Sequence, residues 1–239
     1  MAPRGAPTHR YVITLVALGH LKQGAERKYR LGMRVVDLGL SVMASTKLKD
    51  HAQPFLADLH RRSRYTVALA VLDGPRVQVV ESLRGTRRGQ QLIDLDQTSY
   101  AWLPVHCTAF GKLLLANLPD AEHRRVIGEL TLTKHTSQTI TSKTALRAEL
   151  LGIRGQSLAT AEEELVPGMY SIAAPIRSES REVVAAIGMD AHASMIAPAD
   201  FVEALGPHLV SAADQVSARL GHRRDDELPS ASFNGNAKA

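Results

Sequence analysis

The sequence predicts an α+β domain with a mainly antiparallel sheet, preceded by a smaller basic element. Three observations carry that expectation. Residues 66–72 and 77–82 are runs rich in β-branched side chains on either side of Asp73-Gly74-Pro75, a turn sequence that pairs such runs as a hairpin. Residues 171–176 and 183–189 repeat the arrangement around the polar turn 177–181. Helical patterns lie between and after these pairs, without the regular strand–helix alternation that builds a parallel, doubly wound sheet.

The elements follow in order. Residues 8–21 place Tyr11, Val12, Leu15, Val16, Leu18 and Leu21 at helical spacing, and Gly19 suits the end of that helix. Residues 21–31 read as a hairpin, because Gly24 separates two short extendable stretches, the second being Lys28-Tyr29-Arg30-Leu31. Residues 35–45 are helical by pattern, and 57–63 continue a second helix whose apolar face includes Phe55, Leu56 and Leu59. A candidate strand lies at 91–95. Helices are expected at 108–118, 120–128 and 144–155, with Asp120 and Thr144 as candidate N-caps, and 198–220 forms a long closing helix. From Arg223 the sequence is polar and aperiodic, as a disordered tail would be.

Composition narrows the function classes. With 44% hydrophobic and 22% charged residues the chain reads as globular, and no apolar run approaches the ~20 residues of a membrane-spanning helix. One cysteine, Cys107, excludes an internal disulfide framework, and with no secretion signal the expected compartment is the reducing cytoplasm. The net charge of +5 is polarised: residues 1–88 carry 16 Lys/Arg against 6 Asp/Glu, and the remainder 13 against 18. A basic module on a mildly acidic body fits a nucleic-acid-facing element joined to a sensing domain; a solvated basic surface fits as well.

Several short sequences together resemble the IclR family of bacterial regulators over nearly the whole chain. Arg10-Tyr11-Val12-Ile13-Thr14-Leu15-Val16-Ala17-Leu18-Gly19-His20-Leu21 is similar to the latter half of that family's recognition helix, and Lys28-Tyr29-Arg30-Leu31-Gly32 to the return strand of its wing. Leu103-Pro104-Val105-His106-Cys107-Thr108-Ala109-Phe110-Gly111-Lys112 and Pro167-Gly168-Met169-Tyr170-Ser171-Ile172-Ala173-Ala174-Pro175-Ile176 resemble its effector-domain signatures. Ala185-Ala186-Ile187-Gly188-Met189-Asp190-Ala191-His192-Ala193-Ser194 is most similar to the branch that controls aromatic-acid and β-ketoadipate catabolism. The resemblance implies a partial winged helix-turn-helix over 1–34, a linker helix over 35–49 and a GAF-like effector-binding domain over 50–222, its curved antiparallel sheet flanked by helices. A tail over 223–239 completes it. It implies a regulator controlled by a small organic-acid effector, working without a cofactor as a homodimer or dimer of dimers. Because the chain begins where the family's recognition helix is starting, the two preceding helices are expected to be missing. On that expectation the apolar face of Tyr11, Leu15 and Leu18 is partly uncovered, and DNA affinity of the polypeptide is low.

Candidate residues fall into two groups. On the DNA side, Arg4, Thr8, His9 and Arg10 would meet base edges and phosphates, and Lys22, Arg27, Lys28 and Arg30 would touch the backbone from the wing. On the effector side, residues 106–112 enter a helix after an extended stretch, so the free N–H groups of Ala109 and Phe110 offer an anion site, with the Thr108 hydroxyl as N-cap or ligand donor. By the family pattern the opposite wall comes from Met169, Ser171, Gly188 and Asp190. A carboxylate facing an anion repels it unless it is protonated or accepts a ligand hydroxyl, so Asp190 hints at a hydroxylated ligand. Other chemistry finds little support. Adjacent His106 and Cys107 would diverge in a strand or helix and make a poor dyad, so Cys107 reads as a buried or pocket-lining thiol. The ten histidines form no helical i,i+4 pair, which argues against a dedicated metal centre, and Glu162-Glu163-Glu164 reads as a solvated face. Three classes therefore compete: the ligand-responsive regulator, a binding or dimerisation module that does not reach DNA, and, lacking a matched nucleophile and base, a small enzyme.

Overall fold

The computed structural model describes residues 6–24, 28–35, 48–86 and 101–223. The chain divides into two compact units, Met1–Leu48 and Lys49–Ala239. In the first, helix α1 (Ala6–Ala17) leads into strands β1 (Leu21–Gln23) and β2 (Tyr29–Leu31), paired antiparallel with Lys22 opposite Arg30. The helix stops earlier than its apolar spacing predicts. His20 N–H bonds to Leu15 O and Gly19 N–H to Val16 O, the paired bonds of a Schellman end, and Leu21 is released into the hairpin. The expected helix at 35–45, the strand at 91–95 and nearly all of the expected tail fall outside the described residues.

The second unit runs α2 (Leu48–Ser63), β3 (Thr66–Asp73), β4 (Arg76–Leu83), β5 (Trp102–Pro104), α3 (Ala109–Ala116), α4 (Asp120–Glu129), α5 (Lys143–Ile153), β6 (Ala159–Glu162), β7 (Met169–Arg177), β8 (Val183–His192) and α6 (Pro198–Arg219). Six strands form one curled sheet in the order β5-β4-β3-β8-β7-β6, and every neighbouring pair is antiparallel. The predicted α+β class with an antiparallel sheet is the observed one.

Side chains alternate between the two faces of a strand, so paired register positions share a face. One face carries Thr66, Ala68 and Ala70 of β3, Asp190, Gly188 and Ala186 of β8, and Ser171, Ala173 and Pro175 of β7. Most of these are Ala or Gly, so α3 can lie close against them, and Phe110, Leu113, Leu114 and Leu115 pack there in the main core. The other face is bulkier, with Val67, Leu69, Ile187, Met189, Ile172 and Ile176, and α6 covers it. Ser217 in α6 accepts a hydrogen bond from Arg177 N–H, and Phe201 meets Tyr65 edge to face at 5.4 Å. Helix α2 meets α6 where the Arg219 guanidinium sits 4.9 Å over the Phe55 ring. Each fully buried side chain of this kind stabilises the fold by roughly 1.5–3 kcal/mol.

Candidate functional site

The site is built where the chain turns from β5 into α3. Thr108 caps the helix: its hydroxyl accepts from Gly111 N–H at 3.1 Å and donates to Pro104 O at 2.8 Å. Lys112 N–H bonds to Thr108 O, while the amides of Ala109 and Phe110 have no acceptor among the described residues. Thr108 thus spends its hydrogen within the turn, and the donors left over are the two backbone amides. Gly111 permits this tight entry, because a Cβ there would stand 2.3 Å from the Cα and O of Val105.

Across from the helix start lies the small-residue sheet face. Gly188 receives the Phe110 ring so closely that a Cβ would stand 2.5 Å from Phe110 Cζ and 2.7 Å from Ile172 O. Two positions along the same face, Ser171 and Asp190 are direct cross-strand partners, and Thr66 pairs with Asp190 from the other side. Ser171 is 3% exposed and Asp190 1%, and Ser171 Oγ is buried with no hydrogen-bond partner among the described residues. A buried hydroxyl left without a partner costs about 1–3 kcal/mol, an expense that a bound polar ligand would remove. Met169 is buried at the end of the same face, opposite His192. All seven residues expected at the effector site are therefore buried, at the cap and start of α3 and on β7 and β8.

Of the expected DNA-facing residues, His9 and Arg10 are exposed on α1, and Lys22, Lys28 and Arg30 are exposed on or beside the hairpin. Thr8 lies within α1, and Arg4 and Arg27 fall outside the described residues. Tyr11, Leu15 and Leu18 are exposed.

One correction concerns a residue that the sequence suggested was inert. The acidic run is not one solvated face. Glu162 is exposed and Glu163 accepts from Gly168 N–H and Tyr170 Oη, but Glu164 is buried and binds Lys112 Nζ at 2.6 Å. Lys112, 2% exposed, also reaches Glu149 at 2.8 Å. Burial pushes the Glu164 carboxyl above its ordinary range, against the opposing pull of Lys112. The signal for this pair was a single cation in the apolar stretch Ala109-Phe110-Gly111-Lys112-Leu113-Leu114-Leu115-Ala116, since a buried charge requires a partner. His106 and Cys107 lie in a turn between β5 and α3. Cys107 is buried as expected, and burial, reinforced by the Glu164 charge and opposed by Lys112, pushes its thiol up to about 12. That value removes it as a nucleophile near neutral pH.

A small-residue sheet face lies under a helix whose first amides are open, with a buried hydroxyl and carboxylate beside it, a geometry suited to a small polar molecule, and the same chain carries a basic helix-and-hairpin unit. The family described as "Bacterial transcriptional regulator IclR C-terminal" matches residues 40–218. The chain belongs to the IclR family of bacterial transcriptional regulators. It is 29% identical to the Pca regulon regulatory protein of Pseudomonas putida, covering 91% of this chain and 73% of that one. It is 32% identical to the HTH-type transcriptional regulator XynR of Escherichia coli K12, covering 80% and 75% of the two chains. An IclR homolog from Microbacterium hydrocarbonoxydans, solved as a complex with 4-hydroxybenzoate, superposes with a TM-score of 0.70 at 28% identity, over 90% of this chain and 85% of that one. The relatives are regulators, and the chain is a regulator of the same kind rather than an enzyme.

Proposed function

We propose that this regulator senses a small aromatic carboxylate bearing a ring hydroxyl, held between the start of α3 and the Ser171–Asp190 row. The observation that carries the reading is Ser171 Oγ, buried without a partner among the described residues, beside a buried carboxylate on the face that α3 covers. The amides of Ala109 and Phe110, at the positive end of α3, suit the ligand carboxylate, and Asp190 suits a hydroxyl, which it can accept from without charge repulsion. The 4-hydroxybenzoate bound to the Microbacterium relative has both groups.

Ligand in this pocket shifts the population of subunit arrangements in a homodimer or dimer of dimers, and so the spacing at which paired first units present His9, Arg10, Lys22, Lys28 and Arg30 to DNA. The direct opposition of Lys22 and Arg30 supports a polyanionic partner, because like charges facing across a hairpin destabilise it by about 0.2–1 kcal/mol until phosphate neutralises them. Among the described residues no helix is long and apolar enough to cross a membrane. A lone buried thiol fits the reducing cytoplasm, where we place the protein.

Calorimetry with 4-hydroxybenzoate and benzoate tests the pocket. Ala109 is the first residue of α3 and Thr108 is extended at φ −131°, ψ 145°, so Ala109→Pro deletes one N–H at a position that tolerates proline. It should weaken both acids by roughly tenfold to a hundredfold, the ~1.5–3 kcal/mol of one charge-assisted hydrogen bond. Asp190→Asn should weaken 4-hydroxybenzoate and leave benzoate nearly unchanged. If both variants fold and bind both acids like the unsubstituted protein, the ligand binds elsewhere.

A further inference from the structure

We propose that His106, Cys107 and His135 form a binding site for one borderline-soft divalent cation, with zinc the fitting occupant, whose fourth coordination position opens into the cleft beside them. The potential ligand atoms of the three side chains all lie within 4.8 Å of one another, although His135 is 29 residues downstream of His106 in the sequence. Bonds of ~2.0–2.3 Å in a tetrahedral site place ligand atoms roughly 3.3–3.8 Å apart, so the closure required is about 1 Å. His135 is the exposed member, and its ring is free to supply that movement.

The surrounding hydrogen bonds prepare the site. His106 is buried, and its Nε2 lies 2.9 Å from Thr133 O; a carbonyl can only accept, so Nε2 carries the hydrogen and, in the neutral ring, Nδ1 holds the lone pair. A histidine that donates one nitrogen to a backbone carbonyl and offers the other to a metal is the usual arrangement in such sites. The loop that carries His135 is pinned from below: Thr139 Oγ accepts from His135 N–H at 3.0 Å and Thr136 N–H at 2.8 Å, and donates to Glu164 O at 2.6 Å. The backbone is fixed while the imidazole remains adjustable.

His106 and His135 also line a cleft of about 440 Å³ with Arg76, Trp102 and Glu129, which leaves room for water or an anion at the fourth position. Two nitrogens and one sulfur select zinc-like ions over magnesium or calcium, which take oxygen ligands. On binding, the Cys107 Sγ–H bond breaks, an Sγ–Zn bond forms and the proton leaves to solvent, with no electron transferred. Metal binding is therefore coupled to release of the Cys107 proton. The occupied site would clamp the loop around Thr133 and His135 to the turn that opens α3. This inference stands independently of the effector reading, since none of its three ligands belongs to the proposed effector pocket.

The test is calorimetry of chelator-treated protein with zinc chloride, in two buffers of different ionisation enthalpy, beside cobalt(II) absorption spectra. The expected result is one ion per chain bound with proton release, with a thiolate-to-cobalt charge-transfer band and d–d bands of tetrahedral intensity. His135→Ala, an exposed substitution that the fold should tolerate, should weaken zinc by about a hundredfold, and Cys107→Ser should abolish the charge-transfer band, with circular dichroism confirming the fold of each. Zinc affinity unchanged in His135→Ala, or cobalt bound without the thiolate band, overturns the proposal. Weak binding equal in the unsubstituted protein and both variants does the same, and would assign the ion to other histidines among the ten.

Discussion

The ammonium of Lys112 shows how a single residue can set the properties of the helix that opens the site. It is fully buried one turn from Thr108 and meets Glu164 at 2.6 Å and Glu149 at 2.8 Å, so it joins α3 to α5 and to the segment before β7. Removing one partner of a buried pair leaves an uncompensated charge, and Lys112→Met should therefore destabilise the protein by about 3–5 kcal/mol. Lys112→Met/Glu164→Gln should recover much of that loss, because both charges are then gone. The pH dependence has a definite sign. The folded pKa of Glu164 is raised above its ordinary 4.5, so between those two values the native state holds a proton that the unfolded chain has released. Stability contributed by this group consequently falls as pH rises through that window, and the slope should disappear in Glu164→Gln. Chemical denaturation of both proteins across pH 4 to 8 measures it; identical slopes would mean that Glu164 titrates like an exposed carboxylate.

Elements were legible in the sequence where their own pattern was sufficient to define them. β3 with β4 and β7 with β8 were anticipated because each pair joins β-branched or small apolar runs through a short polar turn. β5 and β6 were not. They are the two edge strands, three and four residues long, and Ala159-Thr160-Ala161-Glu162 has no strand preference of its own; pairing with β7 makes it one. Pro54 hid the first half of α2, which begins at Leu48 and accommodates the proline inside it. Helix starts were off by one or two residues: Pro119 and Ser142 occupy the cap positions, where Asp120 and Thr144 were expected. The seven effector residues could be named from family motifs, but the pairing of Ser171 with Asp190 required the register, and the approach of His135 to His106 required the loop. The contact of Phe110 with Gly188 fixes α3 on the sheet and yields a prediction at this scale. Gly188→Ala places a methyl 2.5 Å from Phe110 Cζ and 2.7 Å from a backbone oxygen, and should cost about 1–3 kcal/mol in overpacking. Adding Phe110→Leu relieves only the ring clash, so a double-mutant cycle by thermal denaturation should show a coupling of about 0.5–3 kcal/mol. Simple additivity would show that the ring does not rest on that glycine.

At the scale of the molecule, charge follows the division into units. Residues 1–48 carry 8 Lys/Arg against 2 Asp/Glu, while residues 49–239 carry 21 against 22, so the helix-and-hairpin unit is net positive and the larger unit close to neutral. If that charge serves to meet phosphate, binding to duplex DNA must release counterions, and log K must fall linearly with log salt, by about 0.9 for each phosphate neutralised. Lys22 and Arg30 are exposed, lie directly opposite one another on β1 and β2, and repel each other in the free protein. Lys22→Ala/Arg30→Ala therefore cannot weaken the hairpin through lost attraction. If anything, it relieves the pair, so reduced binding in this variant cannot be ascribed to unfolding. Fluorescence anisotropy on a labelled duplex at low ionic strength should give a salt slope for the double variant smaller by about 1.8 than for the unsubstituted protein, and a uniform loss of affinity across sequences, because phosphate contacts carry no base information. An unchanged slope would remove the hairpin from the DNA interface and leave its basic residues as solvated surface charge. A loss confined to one sequence, with the slope preserved, would instead place Lys22 or Arg30 against base edges, where the geometry of a wing does not ordinarily bring them.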